Sequence, residues 1–315
     1  MNLRKKLTYL STSFILASST IFLGTEASAN ADINSSLGEK TEAITGTEDL
    51  ITPTTAGSVE NNFNVIDLPG QSDNKITLVN KETAKEDLKI SVPNDMKVGT
   101  PEITDSGSYE YKNNGDVDLI VQPTENGVRS LMNIKNANAP KEYKFDLDLP
   151  AGHKVMLSSE YFGEEPGSEL DTGEVFIVDE NNIIQSVFGA AWAKDANGMS
   201  VPTHYKVVDN TLIQVVNFTE NTAFPVIADP DWVAIGACSA ALTWFVGSNL
   251  FVAAKIIKVR KYIKALGGFK ETAKLIAGAT SWEEKLRVGG SALRSLAAEI
   301  TGVTGLYACN KFIKK

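Results

Sequence analysis

The segment Tyr143-Lys144-Phe145-Asp146-Leu147-Asp148-Leu149 alternates apolar and charged residues without a break. Successive side chains of a strand point to opposite faces, so this spacing predicts a strand with one dry and one wet face. Working outward, shorter period-two runs predict strands at Lys75–Val79, Leu88–Val92, Ser108–Lys112, Val117–Val121, Val155–Ser158, Glu174–Val178, Ile183–Phe188, His204–Val208 and Thr211–Phe218. Asn114-Gly115, Asn126-Gly127 and Asn197-Gly198 supply the positive φ of tight turns, and Asp209-Asn210 separates two strands directly. Many short strands with frequent turns point to an antiparallel β-sandwich-like domain over residues 63–230.

Pro225 and Pro230 keep the next stretch extended, because proline disfavours helix in the residue before it. From Asp231 the period becomes helical. Ile256, Val259, Ile263 and Leu266 recur at three- and four-residue spacing beside Lys258, Lys261 and Lys264, which predicts an amphipathic helix with a basic face, ended by Gly267-Gly268. A second piece spans Phe269 to Ala277. Ser281-Trp-Glu-Glu284 reads as a capping box opening a helix to about Thr301 that buries Leu286, Leu293, Leu296 and Ile300. A last short helix carries Cys309. The expected fold class is therefore α+β, with the β domain followed by a C-terminal all-α helical bundle over residues 231–315.

The first residues set the compartment. Arg4, Lys5 and Lys6 precede an uncharged run, and Ala27-Ser28-Ala29 is a small-x-small cleavage box, so residues 1–29 read as a secretory signal peptide. Residues 30–62 are polar, without sustained apolar period, and read as a flexible leader. The net charge of −9 conceals a split: residues 30–230 carry 33 acids against 14 bases, and residues 231–315 carry 13 bases against 5 acids. Such asymmetry hints at an interaction role. Cys238 and Cys309 both lie in the basic half, and export permits them to pair. The alternative is two small buried thiols.

No catalytic set emerges from the sequence. His153 and His204 are the only histidines, and neither sits in a nucleophile motif. Metal-ligand spacings and phosphate-cradling glycine loops are missing too, so no cofactor and no metal is expected. The cluster Glu164, Glu165, Glu169 and Asp171 reads as a solvated acidic loop rather than a calcium site. Asp195-Ala-Asn197-Gly198 reads as a turn.

Trp232–Ala254 contains 23 uncharged residues. As one helix it would measure about 35 Å, enough to cross a hydrocarbon core of about 30 Å. Three readings stand open: a buried helix of an inert exported bundle, a single-pass anchor in the cell membrane with its lysines inside, and a secreted bundle that engages a target membrane. In the last, Lys255, Lys258, Lys261 and Lys264 meet anionic headgroups, and Trp244, Phe245 and Phe251 enter the acyl region. The expected partner is an anionic membrane surface or envelope component. Export removes nucleic acid from reach.

The runs Trp192-Ala-Lys-Asp-Ala-Asn-Gly198, Val201-Pro-Thr-His-Tyr205, Phe224-Pro-Val-Ile-Ala-Asp-Pro-Asp-Trp232 and Lys261-Tyr-Ile-Lys-Ala-Leu-Gly-Gly268 resemble a group of secreted, largely uncharacterised proteins of Gram-positive bacteria. These share a β-rich region, a Pro-Val-x-Ala-Asp-Pro-x-Trp junction and a helical tail with terminal cysteines. The tail is also similar in style to helical-bundle bacteriocins, which implies a membrane-active antibacterial effector. Together these readings make the chain an exported non-enzymatic protein with a membrane-engaging tail. The alternative is a membrane-anchored surface protein with a ligand-binding β domain. Cleavage near Asp229–Asp231 is left open.

Overall fold

The computed structural model describes residues 40–41, 43–44, 50–51, 57–70, 74–81, 84, 86–104, 107–234, 242, 245–246, 253–278 and 282–300. The signal segment, Cys238, Cys309, Trp244, Phe251, Ser281 and the expected last helix lie outside the described residues.

Among the described residues the strands are β1 (Ser58–Glu60), β2 (Asn64–Asp67), β3 (Lys75–Asn80), β4 (Glu86–Ser91), β5 (Glu102–Ile103), β6 (Tyr109–Tyr111), β7 (Val117–Thr124), β8 (Gly127–Ile134), β9 (Glu142–Asp148), β10 (Lys154–Leu157), β11 (Val175–Val178), β12 (Ile184–Phe188), β13 (Ala193–Lys194), β14 (Thr203–Val208), β15 (Thr211–Val216), β16 (Val226–Ala228) and β17 (Asp231–Ala234). The helices are α1 (Ser158–Phe162), α2 (Ala253–Ala265), α3 (Phe269–Gly278) and α4 (Trp282–Ile300). One antiparallel sheet has seven strands in the order β1-β2-β3-β4-β9-β15-β14. The other has ten: its main path is β10-β11-β12-β17-β8-β7-β6-β5, β16 joins β8, and β13 joins β16. The chain is thus mixed α+β, with two large antiparallel sheets followed by helices.

The segment that decides the fold behaves as its alternation dictates. In β9, Tyr143, Phe145 and Leu147 are buried and the charged residues between them are exposed. Their dry face meets Ile76, Leu78, Leu88 and Ile90 of its own sheet and Leu119, Met132, Ile177 and Trp232 of the other in one apolar cluster. The ten-stranded sheet shows no such alternation. β7, β8 and β11 are buried at every position, the pattern of strands covered on both faces.

Two covers account for that second buried face. Phe176, Val178, Ile184 and Val187 pack against Leu242, Phe245, Val246, Val259, Ile263, Leu293 and Leu296 of the helical region. Ile120, Leu131 and Ile227 gather with Ile44 and Trp192. The helices therefore share their core with the sheet. α2 ends where the sequence expects: Gly268 N–H donates to Ile263 O and Gly267 N–H to Lys264 O, the paired bonds that close a helix with glycine at positive φ.

The structure corrects three expectations. Asp231–Ala234 is not the start of a helix but strand β17, paired with β8 and β12. A charge-free apolar run carries no period, and here the free edges of two neighbouring strands claim it. The unbroken helix from Trp232 on which the membrane-anchor expectation rests is therefore interrupted at its start. No described helix is long and apolar enough to cross a membrane. Residues 30–62 are not uniformly a flexible leader: Ser58–Glu60 is strand, Leu50 bridges Thr124, and Ile44 packs on the sheet. Gly127, expected in a turn, is the first residue of β8, and the β7–β8 turn is Glu125-Asn126.

Gly127 has a different reason to be glycine. A Cβ there would lie 1.9 Å from Trp232 O, the backbone of the strand it pairs with. Gly127→Ala should force β17 away from β8 and destabilise the protein by about 2–3 kcal/mol. At Gly115 the nearest atom to an added Cβ is a side-chain oxygen of Asn113 at 3.7 Å, so Gly115→Ala should be close to neutral. Urea midpoints of the two variants, read by far-ultraviolet circular dichroism, test the contrast.

Candidate functional site

The candidate site is the seam where the basic helices meet the acidic sheet region. Helix α2 buries Val259 and Ile263 toward the sheet, so its helical repeat turns Ile257, Lys258, Lys261 and Lys264 outward. Its rim faces the loop after α1, which carries the acidic cluster. Arg260 Nη1 lies 2.8 Å from Glu164 Oε1, with both side chains largely buried. Its guanidinium also stacks 3.8 Å from the centroid of the Phe162 ring. Lys261 pairs with Glu169 at 2.9 Å. Lys264 Nζ donates to Ser168 O and Asp171 O. The loop is solvated at Glu165 and Glu169, as expected, and it also receives the basic helix, whose charge complements it.

Beneath this rim lies a drier set of contacts. Phe162, Phe176 and Phe269 form an aromatic group with centroids 5.4 to 6.0 Å apart, joining α1, β11 and α3. Glu174, fully buried, accepts the backbone N–H groups of Phe269 at 2.8 Å and Lys270 at 2.7 Å. Its carboxylate thus caps the start of α3, where unpaired N–H groups and the helix dipole favour negative charge. Gly268 leaves the room: an added Cβ there would lie 2.7 Å from that carboxylate. Lys270 reaches inward past Gly189, and its Nζ lies 2.5 Å from Asp231 Oδ2 in a buried pair.

A third buried carboxylate, Asp229, sits close by. Asp229 accepts Trp192 N–H and Gln214 Nε2 on one oxygen and the Tyr205 hydroxyl on the other. Burial pushes the Glu174 carboxyl up to about 7, against the pull of the Lys270 and Phe269 N–H groups. Burial likewise takes Asp229 to about 7, with the charge of Asp231 adding to it. At the rim the direction reverses. The hydrogen bond from Lys261 holds Glu169 below the usual range. At Asp171 partial burial pushes up, but the Gly167 and Gly173 N–H groups and the Ser158 hydroxyl outweigh it.

Of the residues expected to touch membrane, Phe245 is fully buried against the sheet, and Trp244 and Phe251 lie outside the described residues. Lys255 is half-buried, Lys258 is exposed with Glu299 at 3.5 Å, and Lys261 and Lys264 lie along the acidic loop. Glu174, Asp231, Arg260 and Lys270 were not among the expected site residues. The opposed charge of the two halves signalled that pairing would occur, but not which residues would pair. Among the described residues no cluster of histidine, cysteine or carboxylate side chains has metal-binding geometry. No protein-family model matches the chain, and no curated protein matches it.

Two outcomes follow from this seam. Lys270→Met leaves Asp231 charged and buried, which should cost about 3–5 kcal/mol, whereas adding Asp231→Leu should recover most of that loss. Chemical denaturation of both variants measures it. The second concerns pH. Glu174 and Asp229 bind their protons more tightly folded than unfolded, so stability falls as pH rises from the ordinary carboxylate range through about 7. Glu169 and Asp171 act in the opposite sense, and their contribution is lost as pH falls below that range. Stability should peak within the ordinary carboxylate range, at about pH 4, and Glu174→Gln should flatten the alkaline limb of a urea-midpoint profile.

Proposed function

We propose that this is an exported β-sandwich whose helical layer binds anionic surfaces of membrane or envelope, acting by binding rather than catalysis. The observation that carries the reading is the outward face of the helices. Lys258 and Lys261 of α2 and Arg287 and Arg294 of α4 are exposed, and Arg287 and Arg294 form no ion pair among the described residues. Ile257 and Val288, exposed large apolar side chains, lie on the same helices. A cationic face with a few apolar side chains suits adsorption to an anionic interface, at about 1 kcal/mol per basic residue.

In this reading the sheet is the platform and the helices are the contact layer. Deeper insertion, as in a bacteriocin-like effector, would need the helices to leave the sheet, because Leu242, Phe245 and Val246 pack inward. The acidic loop would then serve as the sheath that holds Arg260, Lys261 and Lys264 until that release. Secretion follows from the segment Arg4–Ala29 and is part of the same proposal.

Vesicle co-sedimentation of the full chain tests the proposal. Binding to phosphatidylglycerol vesicles should exceed binding to phosphatidylcholine vesicles and should weaken steeply with salt. Charge reversal of Lys258, Lys261, Arg287 and Arg294 should reduce it by about tenfold or more while leaving the fold intact. Equal affinity for neutral and anionic vesicles, or no binding to either, would sink the idea.

A further inference from the structure

The bases of the helical layer fall into two classes. Arg287 and Arg294 of α4 are exposed and form no ion pair among the described residues. Those of α2 are answered by groups of this chain. A helix turns by about 100° per residue. Counted from the buried stripe of Val259 and Ile263, that step places Arg260, then Lys264, then Lys261 around one flank, and Lys258 on the other. Their partners follow the same order. The side chains of Arg260 and Glu164 are 9% and 19% exposed, and those of Lys261 and Glu169 are 51% and 79% exposed. Lys264, between them, donates to Ser168 O at 3.2 Å and Asp171 O at 2.8 Å. On the far flank Lys258 has Glu299 of α4 at 3.5 Å. The loop between α1 and β11 is shaped for this contact. Asp171 accepts the Gly167 and Gly173 N–H groups and the Ser158 hydroxyl, and Glu164 accepts the Ser168 hydroxyl, so the carbonyls that meet Lys264 are held in place. Glu165 adds a further exposed carboxylate.

We propose that this loop is a charge gate: it competes with an external anionic surface for Lys261 and Lys264, and so restricts binding by the helical layer to surfaces of high charge density. The inference rests on the surface-binding reading above and adds what sets its selectivity. An exposed ion pair contributes little in water, about as much as a base gains beside an anionic membrane. Neither side therefore wins by a wide margin, and the outcome turns on how densely the surface is charged. At a sparse surface Lys261 and Lys264 keep their partners, and the exposed carboxylates Glu165 and Glu169 are repelled. At a dense surface the lipid charge outweighs Glu169 and recruits Lys261 to the contact that Arg287 and Arg294 begin. Arg260 takes no part, because leaving Glu164 would strand a buried charge. The gate thus opens at its outer pair and stays fastened at its inner one.

Co-sedimentation of the full chain with phosphatidylcholine vesicles carrying a rising fraction of phosphatidylglycerol tests it. Glu165→Gln with Glu169→Gln removes two exposed carboxylates and leaves Glu164 with its buried partner, so the fold is kept. This loop variant should reach half-binding at a lower phosphatidylglycerol fraction than the wild type. At an intermediate fraction it should bind about fivefold more tightly, the gain of roughly one freed lysine. Added salt should shrink the difference, because both contacts are screened. Glu142→Gln with Asp148→Asn removes two exposed, lysine-paired carboxylates from the wet face of β9 and should leave the half-binding fraction unchanged. An unchanged or higher fraction in the loop variant overturns the gate while the surface-binding reading stands. An equal gain in the β9 variant also overturns it, because net charge would then be the cause. Wild-type binding that needs no anionic lipid, or no binding by any of the three proteins, overturns the reading and the gate together.

Discussion

The arrangement depends on how two buried carboxylates, Glu174 and Asp231, are answered. A charge removed from water must find a partner in place, and here both partners come from one turn of helix. Glu174 takes the backbone N–H groups of Phe269 and Lys270, and Asp231 takes the Lys270 side chain. One residue, Lys270, thereby fixes α3 on strands from two places in the ten-stranded sheet. The apolar contacts of Phe176 and Phe269 supply most of the attraction, but they are not directional. The carboxylates set the register in which that attraction is satisfied.

A layered hierarchy follows. Between the two sheets lies a largely apolar interior, in which the buried carboxyl of Asp229 is held by Tyr205 and Gln214. On the outer face of the larger sheet, apolar contact with the helices is interrupted by this polar seam. Farther out, the acidic loop and α2 meet in pairs that become more solvated from Arg260 to Lys261. Exposed pairs contribute little stability, so the outermost ones orient the helix more than they hold it. The helical layer thus carries two kinds of charge: bases of α2 that meet the loop, and Arg287 and Arg294 of α4, exposed without an ion pair among the described residues.

Legibility in the sequence tracked periodicity. Strand β9 stood out because one face is wet and the other dry, and α2 stood out for the same reason at a different period. Gly267-Gly268 marked the helix end correctly, since positive φ is required there. Where both faces are covered, alternation vanishes, and β17 was missed because Trp232-Val233-Ala234 offers no polar residue to reveal its period. Gly127 was assigned to a turn because Asn-Gly is the commonest hairpin signal. The true demand was space for a neighbouring backbone, which no local pattern encodes. At the site, charge segregation was visible in the composition, whereas the pairing of Glu164 with Arg260 spans 96 positions and is set by topology alone.

The larger sheet has no face of its own suited to water. Phe176, Val178, Ile184 and Val187 lie on one part of its outer surface, and Ile120, Leu131 and Ile227 on another. A polypeptide emerges from its amino end, so the strands that carry Phe176, Val178, Ile184 and Val187 are made before the helices that shelter them, whereas Ile120, Leu131 and Ile227 are covered by Ile44 and Trp192. Until the helices arrive, that part of the nascent sheet is a greasy slab prone to self-association. A fragment stopped after Ala234 would leave Phe176, Val178, Ile184 and Val187 without the helices that cover them, which makes the carboxyl-terminal quarter a lid needed for solubility.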